Sequence, residues 1–139
     1  MNITDLPFNA FLGIEVTADG DELQLPDDSR FTNHVGTVHA GALYSLAEAA
    51  SGSFLLSHPS VDVEKVGALL RESSIKYRRP ASGRIRSQTR CSDEAIEQMH
   101  AALAKRGRAK LLIEVDLLDD EDQVVASANL DWFASHLPT

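Results

Sequence analysis

The residue whose type and position best suit chemistry is Glu48, a carboxylate inside a stretch of small and apolar residues. Over residues 40–57, apolar side chains recur at steps of three and four, which predicts a helix. Its opposite face is also small or apolar, and such a helix is expected to be surrounded by the rest of the protein. A carboxylate held there can have a raised pKa and act as a general base or a nucleophile. Pairing with an arginine across an interface is the structural alternative.

The loop before this helix carries groups that a carbonyl substrate needs. Asn33, His39, Ala40 and Gly41 lie within it or directly after it. Backbone N–H groups at a helix N-terminus lack partners and carry the positive end of the helix dipole, so they can polarise a carbonyl. Small residues there let a substrate come close to the backbone. Structural roles stay open, because His39 can cap the helix and Asn33 can shape a turn.

Composition restricts the classes of protein to which the chain can belong. Its 139 residues, 43% of them hydrophobic, predict one globular domain over 1–139. The net charge of -8 argues against nucleic-acid binding. Residues 65–110 nevertheless hold 12 of the 13 Lys and Arg residues, with a local net charge of +8. That basic region suits a phosphate-bearing small ligand, or it is simply a solvated surface.

The sequence shows no membrane helix, no signal peptide and only one cysteine. No apolar run reaches the ~18 residues of a membrane helix, and the first residues lack the basic region of a signal peptide. A single cysteine, Cys91, excludes an internal disulfide and a multi-cysteine metal site. We therefore expect a cytoplasmic protein without membrane association. Cys91 is a weak candidate nucleophile, since no histidine is paired with it in the sequence.

The remaining segments predict an α+β domain. A short opening helix over 5–12, with Asp5 as its N-cap, precedes a hairpin of strands at 13–16 and 22–25. A second, amphipathic helix is expected after Ser92 or Asp93 as its cap, and Gly107 closes it. Four further strands are predicted after the apolar helix, at 66–77, 83–92, 109–118 and 123–133. One antiparallel sheet wrapped around the apolar helix would bury that helix on most sides.

The span NHVGTVHAGALYSLAEAASG resembles the active-site segment of hot-dog-fold acyl-CoA thioesterases of the phenylacetyl-CoA and 4-hydroxybenzoyl-CoA types. Those proteins carry an Asn, a Gly a few residues later, His-Gly-Gly, and an acid nine residues after the His. Asn33, Gly36, His39, Gly41 and Glu48 stand at these spacings. The later segments SSIKYRRPASGRIR and LLIEVDLLDDEDQVVASANLDWF also resemble strands of this family. The resemblance covers about residues 5 to 134 and implies the hot-dog fold, with the helix at 93–107 inserted between two central strands.

The resemblance also implies an activity, the hydrolysis of an acyl-CoA to a carboxylate and free CoA, without a metal or a redox cofactor. Glu48 would be the general base or nucleophile at the thioester carbon. The N–H of Ala40, with Gly41 beside it, would polarise the thioester carbonyl. Asn33 would orient the attacking water or the thioester, and His39 would shape the loop.

A homodimer or a dimer of dimers is implied as well, because the family builds each active site across two chains. In the family, basic side chains near the surface meet the CoA phosphates. Arg78, Arg79 and Arg84 are the corresponding candidates here. Arginine suits this role through its bidentate contacts with phosphate.

Two departures from the family pattern leave other functions open. Ala40 replaces the first Gly of His-Gly-Gly, and the acid is Glu rather than the Asp usual in the phenylacetyl type. A non-catalytic acyl-CoA-binding hot-dog domain is therefore one alternative. A hydroxyacyl dehydratase using His34 and Glu48, which are fourteen residues apart, is another, although the His-Phe-Pro-Gly loop of that class is absent. Ser73 and Ser74 are candidates for a serine that some family members place on the strand after the helix.

Overall fold

The computed structural model describes residues 2–138 and shows three α-helices and six β-strands. In chain order these are α1 Pro7–Leu12, β1 Glu15–Val16, β2 Leu23–Leu25, α2 Ala40–Ser57, β3 Val66–Tyr77, β4 Ile85–Arg90, α3 Asp93–Arg106, β5 Arg108–Leu118 and β6 Val124–His136. Short 3-10 turns at Ile3–Asp5 and Ser29–Phe31 complete the set. The predicted limits of α2 and β3 are confirmed to the residue.

The six strands form one antiparallel sheet in the order β1-β2-β4-β5-β6-β3. The long strand β3 pairs with β6 over its whole length and forms one edge of the sheet. The α3 helix leaves β4 and returns to its neighbour β5, so the predicted insertion between two central strands is confirmed.

The sheet wraps around α2, which supplies much of the core. The helix contacts five of the six strands, from β2 to β3 along the sheet. Its buried residues are Ala42, Leu43, Leu46, Ala47, Ala49, Ala50, Ser51, Gly52 and Leu55. Many of them are small, because a strongly curved sheet must come close to the helix axis on several sides. The α+β class and the wrapped central helix, both expected from the apolar pattern of 40–57, are confirmed.

The α3 helix begins and ends as its sequence predicts. The Ser92 side chain caps it by accepting the N–H of Ala95 at 3.1 Å, so Ser92 rather than Asp93 is the N-cap. Gly107 ends it with a φ of 74°, a left-handed conformation that glycine adopts without strain, and donates its N–H to the Leu103 carbonyl at 2.8 Å. One face of α3 is buried through Ile96, Met99 and Leu103.

Several local predictions are wrong. β1 begins at Glu15 rather than at residue 13, and β4 ends at Arg90 rather than at residue 92. Asp5 does not cap α1; the helix begins at Pro7 after Leu6, whose side chain makes no capping bond, because the preceding residues form a 3-10 turn of their own. β4 starts at Ile85 rather than at residue 83, since Gly83 adopts a positive φ of 76°. β6 continues to His136, because β3 offers it partners as far as Val66. Within residues 2–138, no helix is long and apolar enough to cross a membrane.

Candidate active site

The start of α2 is held by His39, its N-cap. The Nδ1 atom of His39 accepts the backbone N–H of Gly41 at 2.8 Å, and the His39 N–H donates to the Phe31 carbonyl at 2.7 Å. Nδ1 therefore carries no proton in this arrangement. A Cβ atom at position 41 would lie 3.1 Å from Nδ1, so the glycine gives the imidazole ring its place. His39 shapes the loop and the helix start.

The cap leaves one free donor at the helix N-terminus. Gly41 N–H is occupied by His39, whereas Ala40 N–H makes no hydrogen bond within residues 2–138. Ala40 is exposed, so an approaching carbonyl oxygen can reach this N–H. The Ala40 carbonyl accepts the hydroxyl of Tyr77 at 3.0 Å, which ties the helix start to the end of β3. Within residues 2–138, the Ala40 N–H expected to polarise a carbonyl is free, whereas the neighbouring Gly41 N–H is not.

The side chain of Asn33 forms hydrogen bonds only within its own loop, as far as the described residues show. Its Oδ1 accepts the N–H groups of Val35 and Thr37, both at 3.0 Å, and its Nδ2 donates to the Thr37 hydroxyl at 2.8 Å. Gly36 supplies the positive φ of 82° that the turn requires. In this arrangement Asn33 acts as a turn residue. The structure places none of its amide contacts outside the segment 33–37.

Glu48 lies two turns into α2 and is half-buried. Burial raises the pKa of its carboxyl group. Its carboxylate makes no hydrogen bond or ion pair with the described part of the chain, although its backbone carbonyl accepts the Ser51 hydroxyl at 2.8 Å. Its oxygen atoms retain some contact with solvent, because no fully buried side-chain oxygen is left unpaired. An unpartnered carboxylate in apolar surroundings is free to take a proton from water.

The two chemical groups are too far apart within one chain to act on the same atom. Eight residues separate Ala40 from Glu48, which corresponds to about 12 Å along the helix axis. The glutamate side chain leans toward the helix N-terminus and shortens this gap only in part. Attack on a polarised carbonyl needs the reacting atoms within about 3–3.5 Å. Within a single chain, these two groups therefore cannot act on the same carbonyl.

Two tyrosines that sequence reasoning missed connect α2 to β3. Tyr44 lies one turn before Glu48, and its hydroxyl is 2.7 Å from the Ser73 hydroxyl. Burial and the neighbouring Tyr44 raise the pKa of Tyr77. Ser73 thus faces α2, whereas Ser74 contacts Asn129 at 3.5 Å. The spacing of Tyr44 and Glu48, four residues on one helix, was the available signal for a shared face.

The candidate arginines lie next to the helix start. The connection between β3 and β4 is joined to the loop before α2 by the Val38 N–H, which donates to the Ala81 carbonyl at 2.8 Å. Arg78 donates from Nε to the Ser127 hydroxyl at 2.9 Å and is partly committed to the sheet. Arg79 and Arg84 are exposed, and no side-chain hydrogen bond or ion pair engages them within residues 2–138.

The remaining candidates are weaker. His34 lies on the exposed turn at 33–37, and its side chain makes no hydrogen bond within the described chain. Burial, with Asp93 and Glu114 nearby, raises the pKa of the Cys91 thiol and so disfavours the reactive thiolate. Among residues 2–138, no cluster of three or more His, Cys, Asp or Glu residues is placed to hold a metal ion.

Comparison with known proteins adds a family and a set of related folds. The family model described as "Domain of unknown function (DUF4442)" matches residues 12–134. A Pseudomonas aeruginosa protein of unknown function, described as a probable thioesterase, is 28% identical in sequence; the match covers 97% of this chain and 91% of that one, with a TM-score of 0.85. No curated protein matches the sequence significantly.

Two further solved structures share the fold. A mutant thioesterase from Pseudomonas aeruginosa is 25% identical over 96% of this chain and 89% of its own, with a TM-score of 0.74. A Bacillus halodurans protein crystallised with CoA is 19% identical over 91% of this chain and 74% of its own, with a TM-score of 0.70. At that identity the likeness concerns the fold. The predicted hot-dog fold is confirmed, and structural neighbours at 28% and 25% identity are described as thioesterases.

Proposed function

The chain belongs to the DUF4442 family, and from this membership, its hot-dog fold and its half-sites we propose that it is an acyl-CoA thioesterase. The reaction is the hydrolysis of R–CO–S–CoA to a carboxylate and free CoA. The observation that carries the proposal is Glu48, a half-buried carboxylate with a raised pKa and no partner, on a helix whose N-terminus keeps Ala40 N–H free. The thioesterase descriptions of two neighbours support the same class of reaction.

The Ala40 N–H and the Glu48 carboxylate suit two different steps of thioester hydrolysis. Ala40 N–H donates a hydrogen bond to the carbonyl oxygen and stabilises the negative charge that develops there as the tetrahedral intermediate forms. Glu48 takes a proton from water while the water oxygen attacks the carbonyl carbon; the C–S bond then breaks, and the protonated Glu48 returns that proton to the departing thiolate. In the alternative route the Glu48 carboxylate attacks the carbonyl carbon, the C–S bond breaks and the CoA thiolate leaves, and water then hydrolyses the resulting anhydride to the free acid and the Glu48 carboxylate. Both routes need Glu48 ionised at the moment of attack.

A homodimer is the smallest unit that completes this site. The Ala40 N–H of one protomer and the Glu48 carboxylate of its partner then face one thioester, which resolves the separation of about 12 Å within a chain. β3 offers an edge of twelve residues for pairing, with Leu69 75% exposed on it. A dimer of dimers would be built from the same unit.

Arg79 and Arg84 are the residues we assign to the CoA phosphates, with Arg78 in a supporting position. They lie where the connection after β3 meets the loop before α2, so a CoA moiety whose thioester reaches Ala40 passes near them. Arginine side chains exposed at such an edge attract phosphates at long range and bind them bidentately. That a protein of the same fold was crystallised with CoA agrees with this assignment.

The experiment that tests the proposal measures release of free thiol from a panel of aromatic and short to long aliphatic acyl-CoAs. Turnover of at least one substrate by the wild type, and a loss of about 10²-fold or more in Glu48→Ala, is the expected result. Arg79→Gln and Arg84→Gln are expected to raise KM with little change in kcat. Acyl-CoA binding without turnover of any panel member would instead assign the chain to the non-catalytic hot-dog domains, with the methyl group of Ala40 as the suspected cause.

A further inference from the structure

An apolar cavity lies at the C-terminal end of α2, beneath the inserted helix α3. It has a volume of about 220 Å³. Its walls come from four elements, through Leu55 of α2, Ala68 of β3, Met99 and Leu103 of α3, and Ala134 of β6. A cavity many times larger than one water, with apolar walls, is typical of a ligand site.

The mouth of this cavity is polar and already organised. Ser60, Asp62, Lys65 and His100 are among its polar lining residues. The Ser60 hydroxyl lies 2.7 Å from Nδ1 of His58 and 2.8 Å from Nε2 of His100, so it joins the loop after α2 to α3. One hydroxyl proton serves only one of these nitrogens, and the other imidazole donates its N–H to the serine oxygen. The mouth therefore has fixed hydrogen-bonding groups around the apolar walls.

Lys65 supplies a positive charge that a ligand can recruit. Its Nζ lies 3.5 Å from the Asp62 carboxylate, but both side chains are largely exposed. Exposed ion pairs of this kind contribute little free energy, so exchanging Asp62 for an anionic ligand costs little. His136, a further mouth residue, lies with its Nε2 3.1 Å from the Leu103 carbonyl and is held in place.

Within one chain, the cavity is separate from the candidate active-site residues. Leu55 lies two turns beyond Glu48, about 10 Å along the axis, and no lining residue belongs to the segment 33–48. Trp132 covers the helix between them. Its Nε1 donates to the Ser51 hydroxyl at 2.9 Å, and a Cβ at position 52 would lie 3.3 Å from two of its ring carbons.

We propose that the cavity beneath α3 is a second binding site, which takes a medium-chain aliphatic carboxylate with its chain along the apolar walls and its head group at Lys65. An unbranched chain suits the predominantly apolar walls, and a carboxylate suits Lys65, the lysine among the polar lining residues. This assignment does not require the chain to be a thioesterase.

Calorimetric titration of the full-length protein with hexanoate, octanoate and decanoate tests the proposal. Saturable 1:1 binding is expected, with Kd falling about 10-fold for every two added CH2 groups. Ala104→Phe, which places a ring at the mouth, should abolish binding. Its matched control is Ala101→Phe, an exposed position on the same helix that does not line the cavity and should leave Kd unchanged. Lys65→Gln should weaken octanoate about two- to fivefold and leave octan-1-ol unaffected.

Two further results decide whether the site is the one described. Glu48→Gln should leave Kd for octanoate unchanged, because the two sites are separate. In NMR spectra of the wild-type protein, octanoate should shift the backbone amide signals of residues 60–66 and 99–104 and leave those of residues 33–48 unchanged. This measurement does not depend on whether any variant folds. Absence of saturable binding at millimolar ligand, an equal loss in Ala101→Phe, or shifts confined to 33–48 would each overturn the proposal, whatever the thiol-release assay shows.

Discussion

The Nδ1 atom of His39 lies 2.8 Å from the backbone nitrogen of Gly41 and accepts its N–H. This hydrogen bond occupies the Gly41 N–H at the start of α2 and leaves the Ala40 N–H as the free donor. A side chain at position 41 would crowd the imidazole ring, so the His and the Gly act as a pair. The cap and the donor are adjacent but chemically distinct, and each can be removed separately.

Removing the donor at Ala40 should abolish the proposed activity without unfolding the helix. Ala40→Pro lacks the backbone N–H, yet proline is favoured at the first position of a helix, and His39 already has the extended ψ of 137° that precedes proline well. We expect kcat to fall about 10²- to 10³-fold, as when one oxyanion donor is lost. Thiol release and circular dichroism measure the two effects. Ala40→Gly, which keeps the N–H, should remain active; a fully active Ala40→Pro would remove this donor from the mechanism.

Mixing two inactive variants should restore activity if each site draws on two chains. In a heterodimer of Glu48→Ala and Ala40→Pro, one site carries both changes and the other carries neither. Random exchange of subunits predicts about a quarter of wild-type activity. The mixture is assayed after subunit exchange, beside each variant alone. Continued inactivity of a mixture shown to exchange would mean that both groups act from one chain, against the helix geometry.

The His39 cap should make a measurable contribution to stability. His39→Ala is expected to lower the free energy of unfolding by about 1 kcal/mol, within the range for N-cap removal, whereas His39→Asn retains an acceptor and loses less. Urea unfolding measures the difference. Gly41→Ala should destabilise the wild type more than it destabilises His39→Ala, because the crowding needs the ring. Equal effects in both backgrounds would show that the ring and position 41 do not interact.

The raised pKa of Glu48 predicts a pH dependence of activity. Since the carboxylate form is needed for attack, kcat/KM should rise with pH through a pKa above the ordinary value of 4.5. A pH profile on one well-hydrolysed acyl-CoA locates this limb. A limb at or below 4.5 would contradict the burial of this group.

The same pKa has a signature in stability that does not rely on turnover. Burial favours the protonated form of Glu48 in the folded state. The contribution of Glu48 to the free energy of unfolding is therefore fully present below pH 4.5 and is lost as the pH rises through the pKa of the folded state. Glu48→Gln, which stays neutral, should therefore be more stable than the wild type at pH 7. Its advantage should shrink as the pH falls toward 4.5, which urea unfolding at several pH values can measure.

Local sequence signals determined the elements of this protein. The apolar repeat over 40–57 and the proline and glycine residues around it mark α2 to the residue, because helix limits depend on short-range contacts. Ser92 and Gly107 delimit α3 for the same reason. The wrapped, α+β arrangement followed from a helix with no polar face, which a single layer of sheet has to cover.

Long-range pairing decided the rest. A register shift between Leu70 and Glu72 in β3 determines which of Ser73 and Ser74 faces α2, and no local pattern encodes such a shift. The missing partner of Glu48, the free N–H of Ala40 and the cavity beneath α3 each depend on what distant segments leave unfilled. Sequence periodicity reports which side of an element is apolar, whereas only the packed chain shows which polar atoms have found partners and which have not.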